Sequence, residues 1–244
     1  MVCMNSRVKW SAQLLLVLLC ALGLKYHYST ASVDQLRWIL APTTSLVEFV
    51  SGRSFSFESY AGYMSSDHTF VIAAPCAGVN FMITAFLMLS LQRLWRERFQ
   101  ETGWRFILVA AAGAYFGTVI ANTVRICTAL EMRSIQSDWL TANQLHRVEG
   151  IVVYFGFLLL LFVISEKLQR GSASGWWLVF PLAIYYGATL WVPLLNGSHR
   201  QRFTFLEHSV FVLVLPLLLM LPVVVWKSVE WRRALPQKSV VDLG

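Results

Sequence analysis

The stretch FVIAAPCAGVNFMITAFLMLSLQRLWRER, residues 70–98, carries no charge from Phe70 to Leu91 and then turns basic at Arg93, Arg96 and Arg98. A hydrocarbon core about 30 Å thick is crossed by about 20 apolar residues in helical form. The run is long enough to span a membrane, and its arginines mark the end at which it emerges. Five further stretches read the same way or nearly so: residues 10–28, 106–130, 146–165, 176–195 and 209–226. Composition agrees: 57% of the 244 residues are hydrophobic and 14% are charged, and the mean hydropathy is +0.57. A soluble domain carries about a quarter of its residues as Asp, Glu, Lys or Arg. The expected fold is an all-α, polytopic membrane protein with about six transmembrane helices.

Charge decides the orientation. One end of the six spans holds Arg7, Lys9, Arg93, Arg96, Arg98, Arg105, Lys167, Arg170, Lys227, Arg232, Arg233 and Lys238, against Glu97, Glu101, Glu166, Glu230 and Asp242. That end therefore carries the whole net charge of +7. By the bias of Lys and Arg it is cytoplasmic, with both termini inside. Topology accounts for the positive balance, so no nucleic-acid partner is expected; the bilayer is the partner that composition requires. Arg7 and Lys9 before an apolar run also resemble the start of a signal peptide. The flank Tyr28-Ser29-Thr30-Ala31-Ser32 is a poor cleavage site, so a retained first helix is expected. On the outer side, residues 35–50 are apolar but interrupted by Pro42, which suggests an interfacial or re-entrant helix. Residues 51–67, rich in Gly, Ser and aromatics, suggest a turn-rich cap. With no repeat or linker, residues 1–244 read as one integral-membrane domain.

Three side chains stand out because reactive or charged groups are costly within apolar spans. Cys76 follows Pro75, and Pro is common at the first helical position. Cys76 is therefore expected in the first turn of the second span, where the helix dipole favours a thiolate. Gly78 would admit a close approach by backbone or substrate. Arg125 lies near the outer end of the third span, where an unpaired arginine costs at least ~2.5–3.5 kcal/mol on insertion scales. Asn122, one turn earlier, could position the guanidinium or bind substrate. His146 opens the fourth span with a side chain suited to acid–base work near neutral pH. Glu149, one turn on, could orient the imidazole or pair with Arg125 or Arg147.

Each residue also has a plain structural reading: a packed cysteine, a snorkelling arginine, a headgroup-level histidine. The spans alternate in direction, yet all three residues fall at the outer end. That shared level favours chemistry, because a Cys–His pair beside a cation has a direct use in acyl transfer. Cys127, two residues from Arg125, points to another helix face. Cys3 and Cys20 lie toward the cytoplasmic half, and His27 and His68 read as interfacial. His199, Arg200, Arg202 and His208 form a polar group in the last outer loop. No zinc-type cysteine or histidine spacing and no nucleotide-binding glycine motif occurs, so neither a metal nor a cofactor is expected.

Cys76-Ala77-Gly78-Val79-Asn80-Phe81, Asn122-Thr123-Val124-Arg125-Ile126 and His146-Arg147-Val148-Glu149-Gly150 together resemble the exosortase/archaeosortase family of membrane cysteine transpeptidases. Leu40-Ala41-Pro42-Thr43 and Gly62-Tyr63 look like the subgroup called exosortase K. The resemblance covers residues 36–165; the two spans at 176–195 and 209–226 add little. It implies a bacterial inner-membrane enzyme with its active site facing the periplasm. Its substrates would be exported proteins with a C-terminal signal of short motif, transmembrane helix and basic tail. Cys76 would form a thioester, Arg125 would support the oxyanion or thiolate, and His146 would be the acid/base. Asn122, Asn80, Gly78 and Glu149 would support them or bind substrate. Ala77 stands where other members often have Ser, and the acceptor is not named by the resemblance. Two other functions fit the residues less well. One is thiol–disulfide exchange through Cys76 and Cys127; the other is a non-enzymatic membrane assembly or transport component.

Overall fold

The computed structural model describes residues 6–97, 103–132, 141–168, 179–191 and 202–234. Within them the chain is mostly helical: α1 (Ser6–Thr30), α2 (Arg37–Ser51), α3 (Val79–Arg96), α4 (Arg105–Met132), α5 (Ala142–Leu168), α6 (Val179–Tyr186) and α7 (Arg202–Ala234). Four segments are long and apolar enough to cross a membrane: Ser6–Thr30, Ala74–Arg96, Arg105–Met132 and Gln144–Leu168. Val179–Leu190 and Ser209–Val225 are shorter apolar helices, and the rest of the expected fifth span lies outside the described residues. The protein is membrane-embedded.

α4 lies at the centre, packed on α2, α3 and α5. Its inward face is built from small side chains, including Ala110, Ala114, Gly117 and Ala121, which let neighbouring helices come close. A Cβ at Gly117 would stand 2.8 Å from Leu161 of α5. Its outward face carries Leu108, Val109, Phe116 and Ile120, all exposed. An apolar exterior of this kind is stable against lipid tails, not water. α1 docks on α3 at both ends, through Trp10 Nε1 to the Leu94 carbonyl (2.9 Å) and Lys25 Nζ to Asn80 Oδ1 (2.8 Å). At the arginine-rich end of α3, Arg96 Nη2 donates to both oxygens of Glu166 in α5 at 2.8 and 2.7 Å. Gln92 Nε2 donates to the same carboxylate at 2.5 Å. Glu166 is buried, so these bonds compensate a charge that would otherwise be expensive there.

α2 runs through Pro42 without breaking. Proline offers no N–H to the carbonyl four residues earlier, that of Trp38. The Tyr115 hydroxyl of α4 donates to the Trp38 oxygen at 2.9 Å, so the orphaned acceptor becomes a tether between helices. α2 buries Ile39, Leu40, Thr43, Thr44 and Val47 while Phe49 and Val50 stay exposed, an amphipathic pattern suited to an interface.

The expectation for the segment that follows α2 needs correction. Residues 51–67 are more than turns, although the chain as a whole remains mostly helical. β1 (Phe55–Glu58), β2 (Gly62–Ser65) and β3 (Val71–Ile72) form an antiparallel sheet, with Phe55 opposite Ser65 and Tyr63 opposite Ile72. Phe55-Ser56-Phe57-Glu58 alternates in the period of a half-buried strand. Its Phe57 ring packs edge-on to Tyr63, with centroids 5.1 Å apart. In the turn between β2 and β3, Asp67 accepts hydrogen bonds from Ser65 Oγ (2.5 Å) and the Thr69 N–H (3.2 Å). These bonds hold its carboxyl down to about 2, so the turn keeps its ionised acceptor until the pH falls through that value. Because Val71 and Ile72 pair as a strand, the second span starts later than residue 70.

Candidate active site

Cys76 does not lie in the first turn of α3. It sits in a separate 3₁₀ turn, Ala74–Ala77, with Pro75 near its start, and its N–H donates to the Ala73 carbonyl at 2.8 Å. Gly78 ends that turn in the left-handed region (φ +69°), and α3 begins at Val79. The reversal at Gly78 separates Cys76 from the α3 helix start, so the dipole is not the principal reason to single out this thiol. A Cβ at Gly78 would stand 3.1 Å from Thr118 Cγ2 and 3.3 Å from Asn122 Cγ. The close approach that Gly78 permits is therefore made by α4 of the same chain.

That approach delivers Asn122. Fully buried, it donates from Nδ2 to the Cys76 carbonyl, and its Oδ1 accepts the Tyr154 hydroxyl at 2.9 Å. Asn122 thus positions the backbone of Cys76, and both ends of its amide are used within the protein. Tyr154 in turn accepts from Arg125 Nη1 at 3.4 Å, while the guanidinium lies over its ring, 5.5 Å from the centroid. Arg125 Nη2 meets His146 Nε2 at 2.7 Å, and His146 Nδ1 lies 3.3 Å from Glu149 Oε2. A guanidinium can only donate, so Nε2 must accept. The imidazole is then neutral, with its proton on Nδ1, the nitrogen on the side of Glu149.

One hydrogen-bonded chain therefore runs from His146 through Arg125, Tyr154 and Asn122 to the Cys76 carbonyl, with Glu149 beside the imidazole at its far end. It unites the 3₁₀ turn with α4 and α5. Between residues as far apart in sequence as Cys76 and His146, the link is Arg125, which hydrogen-bonds both His146 and Tyr154. The expected direct Cys–His pair is absent: among the described residues the Cys76 thiol makes no hydrogen bond. Cys76 is half-buried, and Tyr28 of α1 lies close enough to interact electrostatically with both it and Arg125. Among the described residues Arg125 Nε and Glu149 Oε1 are buried without a hydrogen-bond partner, leaving a donor and an acceptor beside the network.

Asn80 belongs elsewhere. It is exposed and holds Lys25 of α1, outside the hydrogen-bonded chain. Cys76 and Cys127 are both free thiols. Among the described residues no three His, Cys, Asp or Glu side chains converge as a metal would require. His199 and Arg200 lie outside the described residues.

Tyr154 is the residue that sequence reasoning overlooked. It follows His146 by two helical turns, so His146, Glu149, Gly150 and Tyr154 share one face of α5. That periodicity was available, but tyrosine is common at membrane boundaries and its hydroxyl gives no signal of its partners. The ring is stacked on Phe81 of α3, with centroids 5.0 Å apart at 14°. Tyr154→Phe keeps that stack and removes only the hydroxyl, leaving the buried Asn122 Oδ1 unpaired. The expected loss is about 1–3 kcal/mol of stability, measured by thermal unfolding in detergent.

Comparison with known protein families, curated proteins and solved structures finds no match.

Proposed function

We propose that this chain is a membrane cysteine peptidase or transpeptidase of the exosortase kind. It would cut a C-terminal transmembrane sorting signal from exported proteins at the periplasmic face of a bacterial inner membrane. The observation that carries this reading is Arg125: it hydrogen-bonds His146 and is joined through Tyr154 and Asn122 to the backbone of a half-buried cysteine. Short motif resemblance and the positive-inside charge distribution support the substrate class and the membrane face.

In the proposed reaction Cys76 Sγ loses its proton and adds to the scissile carbonyl carbon. The developing oxyanion draws the Arg125 guanidinium, whose buried Nε is an unused donor. Nη2 turns toward that oxygen as the carbonyl polarises, so His146 Nε2 is free to take the thiol proton in the same step in which Sγ adds. Collapse of the tetrahedral intermediate breaks the C–N bond and leaves a thioester on Cys76. His146 returns the proton to the departing amine, with Glu149 steadying the transient imidazolium. An acceptor nucleophile, or water, then attacks the thioester and restores the thiol. A substrate held by its own transmembrane helix meets the site in the plane of the bilayer, which raises its effective concentration.

The test is a synthetic substrate of this architecture turned over by the purified protein in lipid nanodiscs, followed by acid quenching and mass mapping. The expected result is a Cys76 peptide carrying the mass of the substrate's N-terminal part. Turnover with Cys76 unmodified throughout would overturn the mechanism.

A further inference from the structure

At the end of the bundle opposite Cys76, a groove of about 480 Å³ lies between α3, α4 and α5. Its walls are apolar, formed by side chains such as Leu89, Phe106, Ala110 and Leu161. Gly113 belongs to the lining, and a Cβ there would stand 3.3 Å from Leu89 Cδ1, so this glycine helps keep the space open. Two cations, Arg93 and Arg105, border it. Arg93 is paired with Glu97 one turn away, whereas the exposed Arg105 makes no ion pair or hydrogen bond among the described residues. Trp95 and Trp104 are exposed at the same level, as aromatic side chains are where hydrocarbon meets headgroups.

We infer that this groove binds one acyl chain of an anionic phospholipid, with Arg105 against the phosphate. Its volume is typical of a small-molecule site, about 300–1,000 Å³, and its lining suits hydrocarbon. A net cation at an apolar groove's mouth selects a lipid with negative charge over a zwitterionic one. The alternative occupant, a substrate helix ending in a basic tail, would set its cations against Arg105. Because the groove is separated from Cys76 by the length of α3, its occupancy can be measured independently of thiol chemistry.

The experiment is native mass spectrometry of the full chain after incubation with equimolar phosphatidylglycerol and phosphatidylcholine of identical acyl chains. Phosphatidylglycerol is expected to be retained at least about five-fold over phosphatidylcholine. Arg105→Glu, an exposed change at the start of α4, is expected to bring the ratio to about one. Lys9→Glu, at the same end but outside the groove, is expected to leave it unchanged. Gly113→Leu fills the groove and is expected to reduce retention of both lipids. Equal retention of the two lipids by the unaltered chain would overturn the inference. So would a Lys9→Glu loss matching that of Arg105→Glu, or displacement of phosphatidylglycerol by a basic-tailed helical peptide.

Discussion

On the proposed mechanism Cys76→Ala is expected to abolish signal cleavage, with a fall on the order of 10⁴-fold or more, as for loss of the nucleophile in acyl-transfer enzymes. The same change is expected to leave the fold intact. The Cys76 side chain makes no hydrogen bond among the described residues, and what the network holds is its backbone carbonyl, through Asn122. Alanine keeps that carbonyl, so the expected change in stability is within about 1 kcal/mol. Pulse–chase processing of an anchored substrate, paired with thermal unfolding of the purified variant, separates these effects. Processing at the normal rate by a folded Cys76→Ala protein would refute the assignment of Cys76 as nucleophile.

Arg125→Lys is expected to lower the cleavage rate by about 10²–10³-fold although it preserves the charge. One guanidinium reaches Tyr154 with Nη1 and His146 with Nη2, and keeps Nε in reserve. An ammonium on a flexible stem cannot reproduce that planar fork. Arg125→Ala is expected to be at least as impaired in cleavage and less stable, because it also strips a cation from beside the buried Glu149 and opens space over Gly150. Single-turnover kinetics distinguish the cases, since loss of oxyanion support slows thioester formation with little change in substrate binding. Equal rates for Arg125→Lys and the unaltered chain would show that the fork geometry is irrelevant to catalysis.

Much of the frame was legible along the chain. Apolar runs such as 106–130 declare themselves because burial in lipid demands uninterrupted apolar side chains and internally paired backbone groups. Asn122 and Arg125, and likewise His146 and Glu149, could be placed on shared helix faces by their three-residue spacing alone. The helix expected around Pro42 is present, but its continuity could not be read from the sequence, because Tyr115, 73 positions away from the proline, satisfies the carbonyl that proline frees. The extra turn around Cys76 was hidden for a similar reason. Pro75 is compatible with a first α-helical turn and with a 3₁₀ turn, and only the structure shows the latter, with α4 packed close to Gly78. The three-stranded sheet was missed because its strands are short and interleaved with turn-forming residues.

By itself the sequence determined that this is a helical, membrane-embedded protein, which residues are exceptional within it, and at which end of their spans they stand. Those properties follow from length, polarity and helical period, all local to each segment. Only the tertiary structure decided who touches whom. It put Arg125, not Cys76, against His146, turned Asn80 toward Lys25, and brought Tyr154 in as the link to Asn122. Such contacts depend on the rotation and separation of packed helices, which small residues such as Gly78 and Gly117 set to within an ångström. No periodicity within a single helix encodes that distance.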